Sequence, residues 1–139
     1  MNVALFFTYG VSLKQWLDSG LLEREIEIYK KISSNSSIKF TFITYGEEDD
    51  KYILNNLNNI QVFPLGGYFK NKNKFYYFVK SFLVPFKIKH KLKNIDIFKT
   101  NQLMGSWIPI ILKLLIKKPL IVRTGYDILE FSIKENKSL

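Results

Sequence analysis

The fold is decided by residues 2–10, Asn2-Val3-Ala4-Leu5-Phe6-Phe7-Thr8-Tyr9-Gly10, where an apolar run ends on threonine and glycine. Strands that are apolar at nearly every position are typical of parallel sheets covered on both faces. The carboxyl ends of parallel strands share one edge, and ligands bind outside that edge. Similar endings recur at Phe42-Ile43-Thr44-Tyr45-Gly46, Ile97-Phe98-Lys99-Thr100-Asn101 and Val122-Arg123-Thr124-Gly125-Tyr126. The repetition predicts a polar rim along the ligand-binding edge of the sheet.

Strand and helix patterns alternate along the whole chain, which predicts parallel βαβ units with right-handed crossovers. We expect one α/β domain over residues 1–139, a Rossmann-like sheet of strand order 3-2-1-4-5 flanked by helices. The ligand crevice should lie between the loop 9–20 and the segment 99–102. The predicted strands cover 2–8, 38–45, 60–63, 96–99 and 119–123. The predicted helices cover 21–32, 47–57, 73–93 with a bend or interruption near Pro85, and 104–117, with a further helix opening at Asp127.

Composition narrows the classes of site that the chain can hold. The chain has 139 residues, no cysteine and one histidine, His90, so it has no disulfide framework and no thiolate or histidine-rich metal site. No apolar run reaches the ~18 residues of a membrane span, and no signal peptide is visible, so we expect a cytoplasmic protein. The net charge of +9 suits anionic partners. A coding bias towards Lys, Asn and Ile would explain much of the same excess.

The loop after the first strand lacks both nucleotide-binding glycine motifs, G-x-G-x-x-G and G-x-x-x-x-G-K-[ST]. A nicotinamide- or flavin-binding fold is therefore disfavoured, and we expect no resident cofactor. Gly10 still permits close backbone approach by a ligand, and the amino end of the helix at 21–32 offers N–H groups to an anion. An ordinary glycine turn is the alternative interpretation.

The other candidate ligand-binding residues follow strands four and five. Cationic, hydroxyl and amide groups in this pattern suit the hydroxyls and phosphates of a sugar-like ligand, and an arginine can grip phosphate with two hydrogen bonds. Turns with solvated side chains are the alternative. The candidates are Lys99, Thr100, Asn101 and Gln102, then Arg123, Thr124 and Gly125.

Glu25 falls within the apolar arc of its predicted helix, where an ionised carboxylate is costly unless it is paired. Arg123 and Lys99 are the expected partners. Glu25 is thus either a structural ion-pair residue or a residue that orients Arg123 for a ligand.

The segment from Lys70 to Lys93 combines eight lysines and His90 with six aromatic residues and has no acidic residue. Such a segment suits an anionic membrane surface. It also suits nucleic acid, through phosphate contact and base stacking, and we favour this interpretation least. A core-packing helix with a lysine-coated outer face is the third interpretation.

These motifs, in this order, resemble the amino-terminal domain of GT-B glycosyltransferases, particularly the retaining group called family 4 (glycosyl transferases group 1). The resemblance extends over nearly the whole chain. It rests on the segments 4–10, 20–25, 40–46, 96–102 and 118–126. The family's histidines after strands four and five are absent here, because Lys99 and Asn101 stand near the first position and Thr124 near the second. No catalytic residue can therefore be assigned.

The resemblance implies a sugar transferase working with retention, from a nucleotide-sugar donor and without an obligatory metal, on a glycan or lipid-linked acceptor. This chain would be the acceptor-side half, at the inner face of the cell membrane. The donor-binding half would be absent, so the chain would be a fragment, a truncated product or a subunit of a split enzyme, inactive alone. The alternative is a non-catalytic Rossmann-like module that docks on a membrane or a partner protein.

Overall fold

The computed structural model of the chain describes residues 1–69 and 73–124 and confirms the predicted α/β fold. Five strands form one sheet of order β3-β2-β1-β4-β5, and every neighbouring pair is parallel. The strands are β1 (Asn2–Phe6), β2 (Lys39–Thr44), β3 (Ile60–Pro64), β4 (Ile97–Thr100) and β5 (Leu120–Ile121).

The helices depart from the sequence-based boundaries in several places, and those predicted over 47–57 and 104–117 are shorter in the structure. The predicted loop 9–20 contains a helix of its own, α1, and the next helix begins one residue later than expected and runs three residues further. The helices are α1 (Leu13–Asp18), α2 (Leu22–Asn35), α3 (Asp50–Ile53), α4 (Lys74–Ser81), α5 (Val84–Ile88) and α6 (Trp107–Ile116), with a short 3-10 helix at Gly66–Tyr68.

The helix predicted over 73–93 is interrupted near Pro85, as expected, and forms two shorter helices, α4 and α5. Pro85 has no N–H to donate to the preceding turn, which is why the hydrogen-bond ladder breaks there. Phe82 and Leu83 between the helices keep helical φ angles of −69° and −89°. The predicted helix opening at Asp127 lies outside the described residues.

Two hydrophobic cores cover the two faces of the sheet, because alternate residues of each strand point to opposite faces. In β1, Val3 and Leu5 face the core under α1, α2 and α3, whereas Ala4 and Phe6 face the core under α4, α5 and α6. The right-handed crossovers place the first three helices on one face and the last three on the other. None of the described helices is long and apolar enough to cross a membrane.

A buried carboxylate joins the carboxyl ends of β1 and β2. Asp50 is 0% exposed, and its carboxylate accepts hydrogen bonds from the backbone N–H groups of Leu13 and Lys14, both at 3.0 Å. The Thr44 hydroxyl donates a third bond to it at 2.6 Å. The three donors come from the first turn of α1 and from the end of β2. Asp50 therefore fixes the loop after β1 against the loop after β2.

The chain passes so close to this carboxylate that position 46 has room only for glycine. A Cβ added to Gly46 would lie 2.0 Å from Asp50 Oδ2, far inside van der Waals contact. Gly46 is thus part of the same arrangement, and it explains the glycine in the second of the repeated strand endings.

We expect Asp50→Ala to lower the free energy of unfolding by about 3 kcal/mol, because it leaves two backbone N–H groups and a buried hydroxyl without their acceptor. Asp49→Ala is the matched control, since Asp49 is an exposed carboxylate whose ion pair with Lys14 spans 3.5 Å. Urea unfolding followed by circular dichroism measures both. Equal stability of the two variants would contradict the role given to Asp50.

Candidate functional site

A cleft opens at the carboxyl edge of the sheet between the loops that follow β1 and β2. Its volume is about 280 Å³. Backbone of Gly10 and Gly46 lines it together with the side chains of charged, amide and phenol residues. The lining residues are Gly10, Ser12, Lys14, Gln15, Tyr45, Gly46, Glu47, Asp49 and Asp50.

The β1 side of the cleft is held rigidly by a capping box at the start of α1. The Ser12 hydroxyl accepts a bond from the Gln15 N–H at 3.1 Å, and the Gln15 side chain accepts one from the Ser12 N–H at 2.9 Å. The N–H groups of Leu13 and Lys14, which lie between Ser12 and Gln15, donate to the Asp50 carboxylate. All four N–H groups at the amino end of α1 are therefore bonded to acceptors of the protein itself. No free N–H group of that first turn is left for a bound anion.

The loop after β4 closes directly over the end of β1. The Tyr9 N–H donates to the Met104 carbonyl at 3.1 Å, and the Asn101 N–H donates to the Phe6 carbonyl at 2.8 Å. Gly105 has a φ of +98°, and a Cβ there would lie 3.0 Å from the Tyr9 nitrogen. The cleft described above lies on the β2 side of β1, and the crevice that the sequence predicts between the loops after β1 and β4 stays a prediction.

An aromatic cluster forms the wall next to the cleft, with Tyr9 at its centre. The Tyr9 ring contacts Tyr45 at 5.3 Å, Tyr77 at 6.1 Å and Phe78 at 6.0 Å between centroids. The Tyr77 hydroxyl donates to the Tyr45 carbonyl at 3.5 Å. Tyr9 and Tyr77 are partly exposed, so the cluster offers ring surface and phenol oxygens to solvent beside the cleft.

The phenols of this cluster stay protonated well above neutral pH. Burial first, and then the neighbouring Tyr9 and the Glu47 carboxylate, raise the pKa of Tyr77 to about 12. Burial also raises the pKa of Tyr45 and of Tyr9 above the usual range. These hydroxyls therefore act as neutral hydrogen-bond donors and acceptors, and not as bases.

A second polar group lies on the α2 face of the same edge. The Lys99 ammonium donates to the Tyr29 hydroxyl at 3.4 Å and is 5.7 Å from the Tyr29 ring centroid. Lys99 pairs with Ile121 at the end of β5, and Arg123, two residues further along the chain, is near enough for its charge to act on Lys99. Burial first, and then the Arg123 charge, lower the pKa of Lys99. Lys99 and Arg123 thus form a cationic pair at the edge.

The remaining candidates after β4 differ in accessibility. Thr100 is buried, and its hydroxyl accepts a bond from the Arg123 N–H at 2.9 Å, which fixes the end of β5. Asn101 is also buried, whereas Gln102 and Thr124 are exposed. Gly125 lies outside the described residues.

Glu25 is half-buried, and its ion pair is with its neighbour Arg24, at 2.8 Å, where the sequence suggests Arg123 or Lys99. Its charge still acts on Tyr29, whose pKa is raised chiefly by burial, with Glu25 raising it and Arg123 lowering it. Glu25 therefore lies near the cationic pair without bonding to it.

Sequence reasoning missed the tyrosines, Glu47 and Asp50 as members of the site. Two signals were available. Tyr9 and Tyr45 each stand between a terminal threonine and a glycine in the repeated endings. Ser12 and Gln15 have the spacing of a capping box, which marks a helix start in the loop.

Within the described ranges, no three His, Cys, Asp or Glu side chains are arranged to hold a metal ion. Comparison of the chain with protein-family models, with characterised proteins and with solved structures finds no match. The resemblance to GT-B enzymes therefore stays a prediction.

The raised pKa of Tyr77 gives a prediction for alkaline pH. The folded chain keeps this proton up to about pH 12, whereas an unfolded chain releases it near the ordinary value of 10. The contribution to stability is complete below about pH 10 and is lost as the pH rises towards 12. We expect Tyr77→Phe to lose a late step in the absorbance titration of tyrosinate and to weaken the alkaline fall in stability. A wild-type titration in which all eight tyrosines ionise together near pH 10 would contradict this.

Proposed function

We propose that this chain is the acceptor-side half of a GT-B-like glycosyltransferase and binds the sugar of its acceptor in the cleft between the β1 and β2 loops. The cleft offers carboxylate and amide groups for sugar hydroxyls, and phenols and tyrosine rings adjoin it. One observation carries this proposal. These carboxylate, amide and phenol groups lie together at the carboxyl edge of a doubly wound parallel sheet, which is where ligands bind in this class of fold.

The charges of the cleft favour a neutral polyol over a nucleotide diphosphate. Glu47, Asp49 and Asp50 line it, against a single lysine, Lys14. Two phosphates placed among these carboxylates would be repelled. The acidic lining supports an acceptor site, and the donor would bind to a half that these residues do not supply.

The cationic pair of Lys99 and Arg123 suits an anionic part of a ligand, such as a phosphate between sugar and lipid. Arg123 is exposed, and its guanidinium can make two bonds to one phosphate. The cleft and the pair lie on the same edge of the sheet, so one extended acceptor could contact both.

The resemblance supplies the reaction, transfer from a nucleotide sugar with retention. In that reaction this chain's residues hold and orient the acceptor hydroxyl. The resemblance assigns the activated donor to a separate donor-binding half.

Glycoside binding tests the proposal. We expect methyl glycosides of common hexoses and N-acetylhexosamines to bind the purified chain in saturation-transfer NMR, and UDP-glucose not to bind. Glu47→Gln should weaken the best glycoside about tenfold, because a charge-assisted hydrogen bond to a sugar hydroxyl becomes a neutral one.

Glu48→Gln is the matched control for this experiment. Glu48 is the adjacent carboxylate, is not part of the cleft lining and pairs with Lys51 at the surface. It should leave glycoside binding unchanged. If no glycoside binds, or if both variants weaken binding equally, the acceptor site is not in this cleft.

The alternative, a non-catalytic module that docks on a membrane or a partner protein, is favoured by one observation. The outward side of α4 and α5 is apolar and exposed. Glycoside binding separates the two functions, because a module that only docks has no reason to recognise a sugar.

A further inference from the structure

A stripe of large apolar side chains runs along the outside of α4 and α5. We call it the α4–α5 stripe. Its members are spaced by three, one, three, one and three residues, which is the spacing of one helix face. They are Phe75 (76% exposed), Phe78 (40%), Val79 (47%), Phe82 (38%), Leu83 (52%) and Phe86 (50%).

The same two helices have a separate buried face, although Phe78 and Phe82 of the stripe also contact the Trp107 ring, each at 5.5 Å between centroids. Ser81, Val84 and Ile88 are buried on that side, and the Ser81 hydroxyl accepts a 2.9 Å hydrogen bond from the Trp107 ring N–H. The two helices are therefore attached to the domain by one side and apolar on the other. An exposed apolar patch of this size marks a surface that contacts something else.

Charge identifies the kind of surface that fits the stripe. The described residues 73–93 contain no acidic side chain. One of the lysines, Lys80, lies 4.7 Å from the Tyr76 ring centroid. Aromatic and lysine side chains together favour the boundary between the headgroups and the acyl chains of an anionic bilayer. The lysines of the range are Lys74, Lys80, Lys87, Lys89, Lys91 and Lys93.

We propose that the α4–α5 stripe docks on the surface of an anionic bilayer, with its phenylalanines in the interfacial layer and its lysines among the headgroups. The exposed phenylalanines project from two short helices, and a fluid bilayer can receive projecting side chains without a preformed complementary surface. The anionic lipid also neutralises the lysines, which an uncharged apolar partner would not do.

Docking in this way would bring the acceptor cleft to the level of the headgroups. Phe78 of the stripe contacts Tyr9, and Tyr77 of the same helix donates to the carbonyl of Tyr45, which lines the cleft. If the proposed function holds, the acceptor class is a lipid-linked glycan presented by the bilayer. The docking itself does not depend on the proposed function.

Co-sedimentation with vesicles tests the docking. The full chain should bind vesicles of phosphatidylcholine mixed with phosphatidylglycerol, bind phosphatidylcholine vesicles far less, and lose binding as salt is raised. The triple variant Phe75→Ser, Leu83→Ser, Phe86→Ser should bind anionic vesicles at least about tenfold more weakly, because the apolar contribution is lost.

The matched control changes three exposed apolar residues elsewhere, Ile110→Ser, Leu114→Ser and Ile121→Ser, which are 42%, 73% and 53% exposed. This control should bind vesicles like the wild type, and circular dichroism should show that both triple variants are folded. The docking proposal is overturned by absence of vesicle binding, by equal effects of the two triple variants, or by a salt-insensitive interaction. It is also overturned if sedimentation velocity shows that the chain self-associates, and if the stripe variant loses this self-association but keeps its vesicle binding.

A separate measurement tests the link to the acceptor. Soluble glycosides should bind the stripe variant as they bind the wild type, because the cleft is intact. A glycolipid with the same sugar, placed in anionic vesicles, should be retained better by the wild type than by the stripe variant. Vesicle binding without any glycoside binding would leave the docking in place and refute the acceptor site.

Discussion

The buried carboxylate of Asp50 is the interaction on which the rest of this edge of the sheet depends. A charged group without water is tolerated only when its oxygens are fully hydrogen-bonded, and three donors meet this requirement here. Because two of the donors belong to α1 and the third to β2, the bonds fix the two loops that form the cleft. The geometry of the cleft is thus a consequence of satisfying one buried charge.

The same interaction decides what chemistry the cleft can offer. In many doubly wound proteins the helix after the first strand presents free N–H groups to a phosphate. Here Asp50 and Ser12 already occupy those groups, and Glu47 and Asp49 add negative charge beside them. The positive charge of the edge lies instead with Lys99 and Arg123, on the far side of β1. The cationic groups that suit a phosphate and the acidic groups that suit hydroxyls are therefore separated along the rim.

The fold could be predicted from the sequence because its signals are repeated and global, namely apolar strands with similar endings and alternating helices. The site could be predicted only in part, because its key contacts are local in space and not in sequence. The acidic run at 47–50 reads as a helix start, and nothing in it distinguishes Asp50, which is buried, from the exposed Asp49. α1 was missed because six residues give too little apolar periodicity. The ion-pair partner of Glu25 was missed because Arg24, the adjacent residue in the chain, bonds it in place of Arg123 or Lys99 at the ends of the strands.

The aromatic residues of the β3–β4 connection show how one segment can serve both the core and the surface. A crossover from one edge strand over the sheet needs only a few apolar side chains to cover the strands beneath it, and Val84, Ile88 and Leu92 supply them. α4 is the first α-helix of this connection and lies beside the carboxyl edge. Tyr77 of α4 is part of the aromatic wall of the cleft, and the exposed Phe78 contacts the Tyr9 ring.

The outer side of this segment would be expected to be polar if solvent were its only neighbour. Its outer side is instead the most aromatic exposed part of the described chain, and it adjoins the cleft through direct ring contacts. Any surface that binds the stripe must therefore lie close to whatever the cleft binds.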